Sequence, residues 1–121
     1  WPNPSFPKFI NIVIKVSTKQ DLKKFFLNLK KIERKMGKRS NIRNSPRICD
    51  IDIIDFNSKN FSVDINNQKL IVPHPRMNSR NFVLFPLFEI DKKWTHPKSR
   101  INITELMSKL PVNSIRGIKV I

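Results

Sequence analysis

The sequence predicts a domain that mixes β-strands with α-helices, and three stretches carry that prediction. Residues 9–16 alternate side chains at a period of two. Residues 19–38 repeat apolar side chains at a helical period, and residues 47–56 alternate again, apolar with acidic. Successive side chains of a strand point to opposite faces, whereas helix neighbours recur three and four positions on, so the two periods separate the elements. A chain of 121 residues, 39% of them hydrophobic, is enough for a single domain with a core and argues against global disorder.

Taken in order, residues 1–8 are proline-rich and read as an extended loop. In the strand at 9–16, Ile10, Ile12, Ile14 and Val16 form the expected core face, with Phe9, Asn11, Val13 and Lys15 opposite. Ser17 or Thr18 is the expected helix cap, because Gln20 stands three after Ser17 as a capping box needs. Leu22, Phe25, Phe26, Leu29, Ile32 and Met36 make the apolar stripe of that helix, and Gly37 ends it. Glu33 falls within the stripe. It is either a helix-edge carboxylate reaching solvent or a buried group with a partner.

Residues 38–47 form a basic loop without helical or strand periodicity, and the strand at 47–56 follows. A turn at 57–60 leads into short strands within 61–72, folded about Asn66-Asn67. Pro73-His74-Pro75 predicts a rigid extended corner, because proline fixes its own φ and restrains its predecessor. Residues 77–88 predict a short helix interrupted or ended near Pro86; residues 89–101 read as irregular. Asn102 or Thr104 caps a last helix ending near Leu110, and the tail 115–121 reads as an edge strand. Two glycines in the whole chain cannot build a glycine-rich phosphate loop.

The formal charge of +15 calls for an anionic partner: nucleic acid, a membrane surface or a polyphosphate. No apolar run reaches the roughly 18–20 residues of a membrane span. One cysteine, Cys49, excludes an internal disulfide and fits a reducing compartment, hence the cytoplasm. Against this basic background, several of the nine acidic residues sit on one strand, Arg47-Ile48-Cys49-Asp50-Ile51-Asp52-Ile53-Ile54-Asp55-Phe56. Asp50 and Asp52 share a face, roughly 6.5 Å apart along the strand. That spacing suits hard cations bridged by phosphate oxygens, with metals about 3.5–4 Å apart. An isolated Asp-x-Asp is more often a solvated strand face.

With these residues in view, the chain resembles the 6-hydroxymethyl-7,8-dihydropterin pyrophosphokinase family. The resemblance rests on Pro46-Arg47-x-x-Asp50-x-Asp52-Ile53-Ile54, then Val72-Pro73-His74-Pro75-Arg76-Met77, then Arg80-Asn81-Phe82-Val83-Leu84-x-Pro86-Leu87. Upstream, Phe9-x-Asn11 and Ile32-Glu33-x-x-x-Gly37 follow in the same order. The resemblance implies an α+β, ferredoxin-like sandwich, with a mainly antiparallel central sheet and helices packed on its faces. It implies an ATP-dependent enzyme of folate biosynthesis that passes the β,γ-pyrophosphate of ATP to the pterin hydroxymethyl group, releasing AMP.

By the same resemblance Asp50 and Asp52 are ligands of two Mg²⁺ ions. Arg43 and Arg47 close on the triphosphate, with Lys38 and Arg39 beside them as catalytic cations. Glu33, Ile53, Ile71, His74, Pro75 and Arg80 form the ATP side. Phe82 stacks on the pterin, Phe9 lies near its other face, and Asn11 reads its amide-like edge. The partners implied are small molecules, with neither nucleic acid nor membrane, and a monomer at full length. Without the family, Phe82 would read as a core phenylalanine, His74 as structural and Asn11 as an ordinary exposed amide.

Three departures from the family pattern stand out. The first strand with its Gly-Ser-Asn signature, the following helix and the second strand are missing, and the chain starts at Trp1. The expectation is an N-terminally truncated, incomplete domain over residues 1–121 that is poorly stable in isolation. Lys38 replaces an arginine, losing a bidentate fork that Arg39 can supply. Asn44 stands where the family has a tryptophan. Two rival classes remain: a ferredoxin-like nucleic-acid-binding module, supported by the charge and by Phe9 and Phe61 on a sheet face, and a metal-dependent nuclease. Paired aspartates count against the first, since they repel phosphate unless metal intervenes. The second lacks a general base beyond His74.

Overall fold

The computed structural model describes residues 10–37 and 49–112. The chain divides into two compact units, Trp1–Ile10 with Thr18–Asp52 and Asn11–Ser17 with Ile53–Ile121.

The first unit is built on helix α1, Leu22–Lys35. Its N-cap is Asp21, whose carboxylate accepts the Lys24 N–H at 2.8 Å. This corrects the expected cap. A carboxylate directly before the first apolar residue satisfies an orphan donor and also favours the positive end of the helix dipole. The Thr18 hydroxyl instead accepts the Gln20 N–H at 3.1 Å, a local turn that competes with helix. At the other end Arg34 and Lys35 sit in the last turn, where cations suit the dipole. Gly37 follows at φ 90°, where a Cβ would clash, and its N–H closes on the Arg34 carbonyl at 3.1 Å. Leu22 and Glu33 are buried on one line of the helix, while Ile32 and Met36 are exposed. At 100° per residue, Ile32 lies about 80° round from Leu22 and Glu33 only about 20°. The buried line therefore runs to the glutamate.

The second unit contains the sheet. Strands β1, Phe61–Ile65, and β2, Gln68–Val72, pair antiparallel from Phe61↔Val72 to Ile65↔Gln68. Asn66 and Asn67 both have positive φ, as a two-residue type I′ hairpin demands and asparagine tolerates. The preceding turn repeats the device: Asn57 and Ser58 have positive φ between the bridged pair Phe56 and Lys59. A cis Val72–Pro73 peptide ends β2. A 3₁₀ turn, Met77–Ser79, leads into α2, Asn81–Ile90. Helix α3 is Ile103–Ser108, capped by Asn102, which accepts the Glu105 N–H at 2.9 Å. Helices α2 and α3 lie against each other over a core of Met77, Val83, Leu84, Leu87, Trp94, Ile103, Leu106 and Leu110. Among the described residues no helix is long and apolar enough to cross a membrane.

The described residues thus form an α+β arrangement with a two-stranded antiparallel sheet. Three expectations are corrected. Residues 10–16 carry no strand, and the row Ile10, Ile12 and Ile14 is 70–76% exposed rather than core. Val13, from the opposite row, is the one that packs against the core. Alternation defines two faces but not which of them is covered, and a one-residue change of face moves every side chain. Residues 49–55 likewise carry no strand ladder, because no described neighbour pairs with them as a strand. Helix α2 runs through Pro86 instead of stopping there. The lost bond is the one to the Phe82 carbonyl, and buried Leu84 and Leu87 hold the helix on both sides of the proline. The tail expected as a strand, 115–121, lies outside the described residues.

Candidate active site

Although no ladder among the described residues holds it, the acidic segment keeps a period of two in its burial. Cys49 and Ile51 are half-buried and Ile53 is buried, while Asp50 and Asp52 are exposed. One anchor of this segment comes from α1. Glu33 is 1% exposed, and its Oε2 accepts the Ile51 N–H at 2.6 Å. The Lys30 ammonium lies 3.1 Å from Oε1, and the same ammonium sits over the Phe26 ring at 5.2 Å. A buried carboxylate is tolerable when it is paired and hydrogen-bonded in this way, and charge-assisted bonds are about twice as strong as neutral ones. The residue anchored is the one between the two aspartates.

Asp50 and Asp52 offer hard oxygen donors of the kind Mg²⁺ takes. No group of three or more His, Cys, Asp or Glu that could hold a metal occurs among the described residues. Two carboxylates therefore suit a cation whose remaining positions are filled by water and phosphate oxygens, and they do not suit an all-protein cage.

In the second unit, Ile71, His74 and Pro75, three of the residues expected on the ATP side, lie in β2 or just after it. Ile71 is on that strand and 40% exposed; Ile53 is buried; Pro75 is exposed. The His74 N–H donates to the Ile54 carbonyl at 3.0 Å, so His74 is tied beside Ile53. Its carbonyl accepts the Met77 N–H, and its Nδ1 accepts the Arg76 N–H at 3.2 Å. With Nδ1 accepting, the neutral ring carries its proton on Nε2.

Arg80 and Phe82 are brought together. The Arg80 carbonyl accepts the N–H groups of Val83 and Leu84, which starts α2, and its guanidinium lies 5.4 Å over the Phe82 ring. Phe82 is 41% exposed, so it is not the core phenylalanine its composition alone would make it. Asn11 is exposed. Phe9, Lys38, Arg39, Arg43 and Arg47 lie outside the described residues.

Sequence reasoning missed one polar cluster. The Trp94 indole N–H donates to Asp55 Oδ2 at 3.0 Å, and the His96 ring meets Trp94 edge-on at 5.8 Å. His96 Nδ1 accepts the N–H groups of Lys98 and Ser99, at 3.1 and 3.2 Å, within a loop closed by the Thr95–Asn102 bridge. Burial lowers the His96 pKa below its ordinary value; Asp55 opposes that shift and Lys98 adds to it. The available signal was Trp94 itself, since a buried indole N–H needs an acceptor.

Comparison with known proteins bears on this site. The family model for 7,8-dihydro-6-hydroxymethylpterin-pyrophosphokinase matches residues 1–92. The chain is 41% identical over 106 residues to the folic acid synthesis protein FOL1 of Dictyostelium discoideum, covering 85% of this chain and 15% of that protein. It is 34% identical over 112 residues to the folic acid synthesis protein fol1 of Pneumocystis carinii, covering 93% and 15%. It is 30% identical over 116 residues to 2-amino-4-hydroxy-6-hydroxymethyldihydropteridine pyrophosphokinase of Aquifex aeolicus, covering 96% and 68%. The chain thus spans a small part of the first two proteins and about two thirds of the third.

Proposed function

The chain belongs to the 7,8-dihydro-6-hydroxymethylpterin-pyrophosphokinase family, and from that premise we propose that it serves the transfer of pyrophosphate from ATP to 6-hydroxymethyl-7,8-dihydropterin, releasing AMP, in folate biosynthesis. The reading places the protein in the cytoplasm, as a monomer at full length acting on small molecules, with the complete domain a ferredoxin-like sandwich. Its main support is the pair of exposed carboxylates, Asp50 and Asp52, on either side of an amide held by buried Glu33.

Displacement at phosphorus is dominated by positioning and by neutralising charge. When bound, two Mg²⁺ ions would screen the triphosphate and acidify the pterin hydroxyl. Asp50 and Asp52 hold them. Arg43 and Arg47 reach the phosphates as bidentate forks, with Lys38 and Arg39 adding positive charge. His74 and Arg80 contact ATP, Ile53, Ile71 and Pro75 line the nucleotide pocket, and Glu33 orients groups on that side. Phe82 stacks on the pterin with Phe9 near the other face, and Asn11 both donates to and accepts from its edge.

The test is an assay of AMP release with ATP, Mg²⁺ and the dihydropterin. Asp52→Ala should lower the rate at least about 100-fold. Because Asp52 is exposed, unfolding free energy should stay within about 0.5 kcal/mol of wild type. Undiminished transfer by the variant refutes the assignment.

A further inference from the structure

We infer that Glu33 is a positioning residue for the two metal-binding aspartates, acting through the main chain and not by touching ATP. The inference rests on the reading of Asp50 and Asp52 given above. The Ile51 N–H is the peptide donor between those residues, and Glu33 Oε2 takes it at 2.6 Å from a site 1% exposed. Among the described residues no strand pairs with 49–55. A carboxylate fixed on a 14-residue helix supplies a hold on the segment that carries Asp50 and Asp52. The bond fixes the peptide plane that joins Asp50 to Ile51, and with it the point from which the chain continues to Asp52. Lys30, 3.1 Å from Oε1, in turn holds the carboxylate toward Ile51. Groups behind metal ligands typically govern affinity by 10–100-fold when they are removed.

The experiment titrates Mn²⁺ alone, as a paramagnetic stand-in for Mg²⁺, into the protein and into its Glu33→Ala, Glu33→Gln and Asp52→Ala variants, following free Mn²⁺ by electron paramagnetic resonance. Amide exchange at Ile51 is measured in parallel, with Val83 in the core as the internal standard. Glu33→Ala should weaken Mn²⁺ binding at least about tenfold and speed Ile51 exchange relative to Val83. Glu33→Gln keeps an acceptor for the Ile51 N–H, so it should restore binding to within about threefold of wild type; it also carries the test if the alanine variant does not fold. Wild-type Mn²⁺ affinity in a folded Glu33→Ala overturns the inference, as does unchanged Ile51 exchange. Equal loss in a folded Glu33→Gln overturns it too, because the acceptor would then not matter. If Asp52→Ala leaves Mn²⁺ binding intact, the metal reading itself falls; if Asp52→Ala weakens it and Glu33→Ala does not, only the positioning role falls.

Discussion

The indole N–H of Trp94 donates to the Asp55 carboxylate across 3.0 Å, joining positions 39 residues apart. The other carboxylate oxygen, Oδ1, is buried with no hydrogen-bond partner among the described residues. Trp94→Phe keeps most of the packing but leaves this carboxylate without its donor, which should cost about 1–3 kcal/mol in urea unfolding. Asp55→Asn keeps an acceptor and removes the charge, so it should cost less. A Trp94→Phe loss under about 0.5 kcal/mol shows that water replaces the indole.

His96 gives stability a pH dependence of known sign. Its folded pKa lies below the ordinary 6.5, so below about pH 6.5 the unfolded chain binds more protons than the folded one. Stability should therefore fall as pH drops from about 6.5 toward the folded pKa, and level off below it. Protonation at Nδ1 would also break the two bonds from the Lys98 and Ser99 amides. Melting curves from pH 7 to pH 5 should show this decline in wild type and a flatter profile in His96→Asn. Parallel profiles show that other groups carry the dependence.

Lys30 supports the buried carboxylate of Glu33. Lys30→Met keeps the apolar stem over Phe26 and removes the ammonium. Because Lys30 is a quarter exposed, the cost should be about 1–2 kcal/mol, less than breaking a fully buried pair. Guanidinium unfolding checks the value, and a neutral result means the Ile51 N–H alone is enough for Glu33.

Phe82 separates stability from binding. At 41% exposure it carries little of the core, so Phe82→Leu should cost no more than about 1 kcal/mol in unfolding. Loss of the stacking face should weaken binding of a dihydropterin analogue at least about fivefold, read by calorimetry. Unchanged affinity would remove Phe82 from the pterin site.

Gly37 tests the helix end. At φ 90° an alanine meets the left-handed penalty, so Gly37→Ala should cost about 1–2 kcal/mol in thermal unfolding. Ser17→Ala should be nearly silent, since Asp21 is the cap.

What the sequence determined by itself is what neighbouring residues settle among themselves. The existence of α1 with its terminal glycine, the Asn66-Asn67 hairpin and the Asn102 cap each depend on side chains within a few positions, whereas the predicted stripe of α1 did not hold at Ile32 and Met36, which are exposed. The exposed pair Asp50 and Asp52 was legible too, because period-two burial survives without a ladder among the described residues. Tertiary structure decided which row of residues 10–16 meets the core, that Glu33 reaches Ile51 and that Trp94 reaches Asp55. Periodicity tells which side chains share a face, but the partner of that face comes from distant parts of the chain, and buried polar groups go to whichever donor the packing brings near.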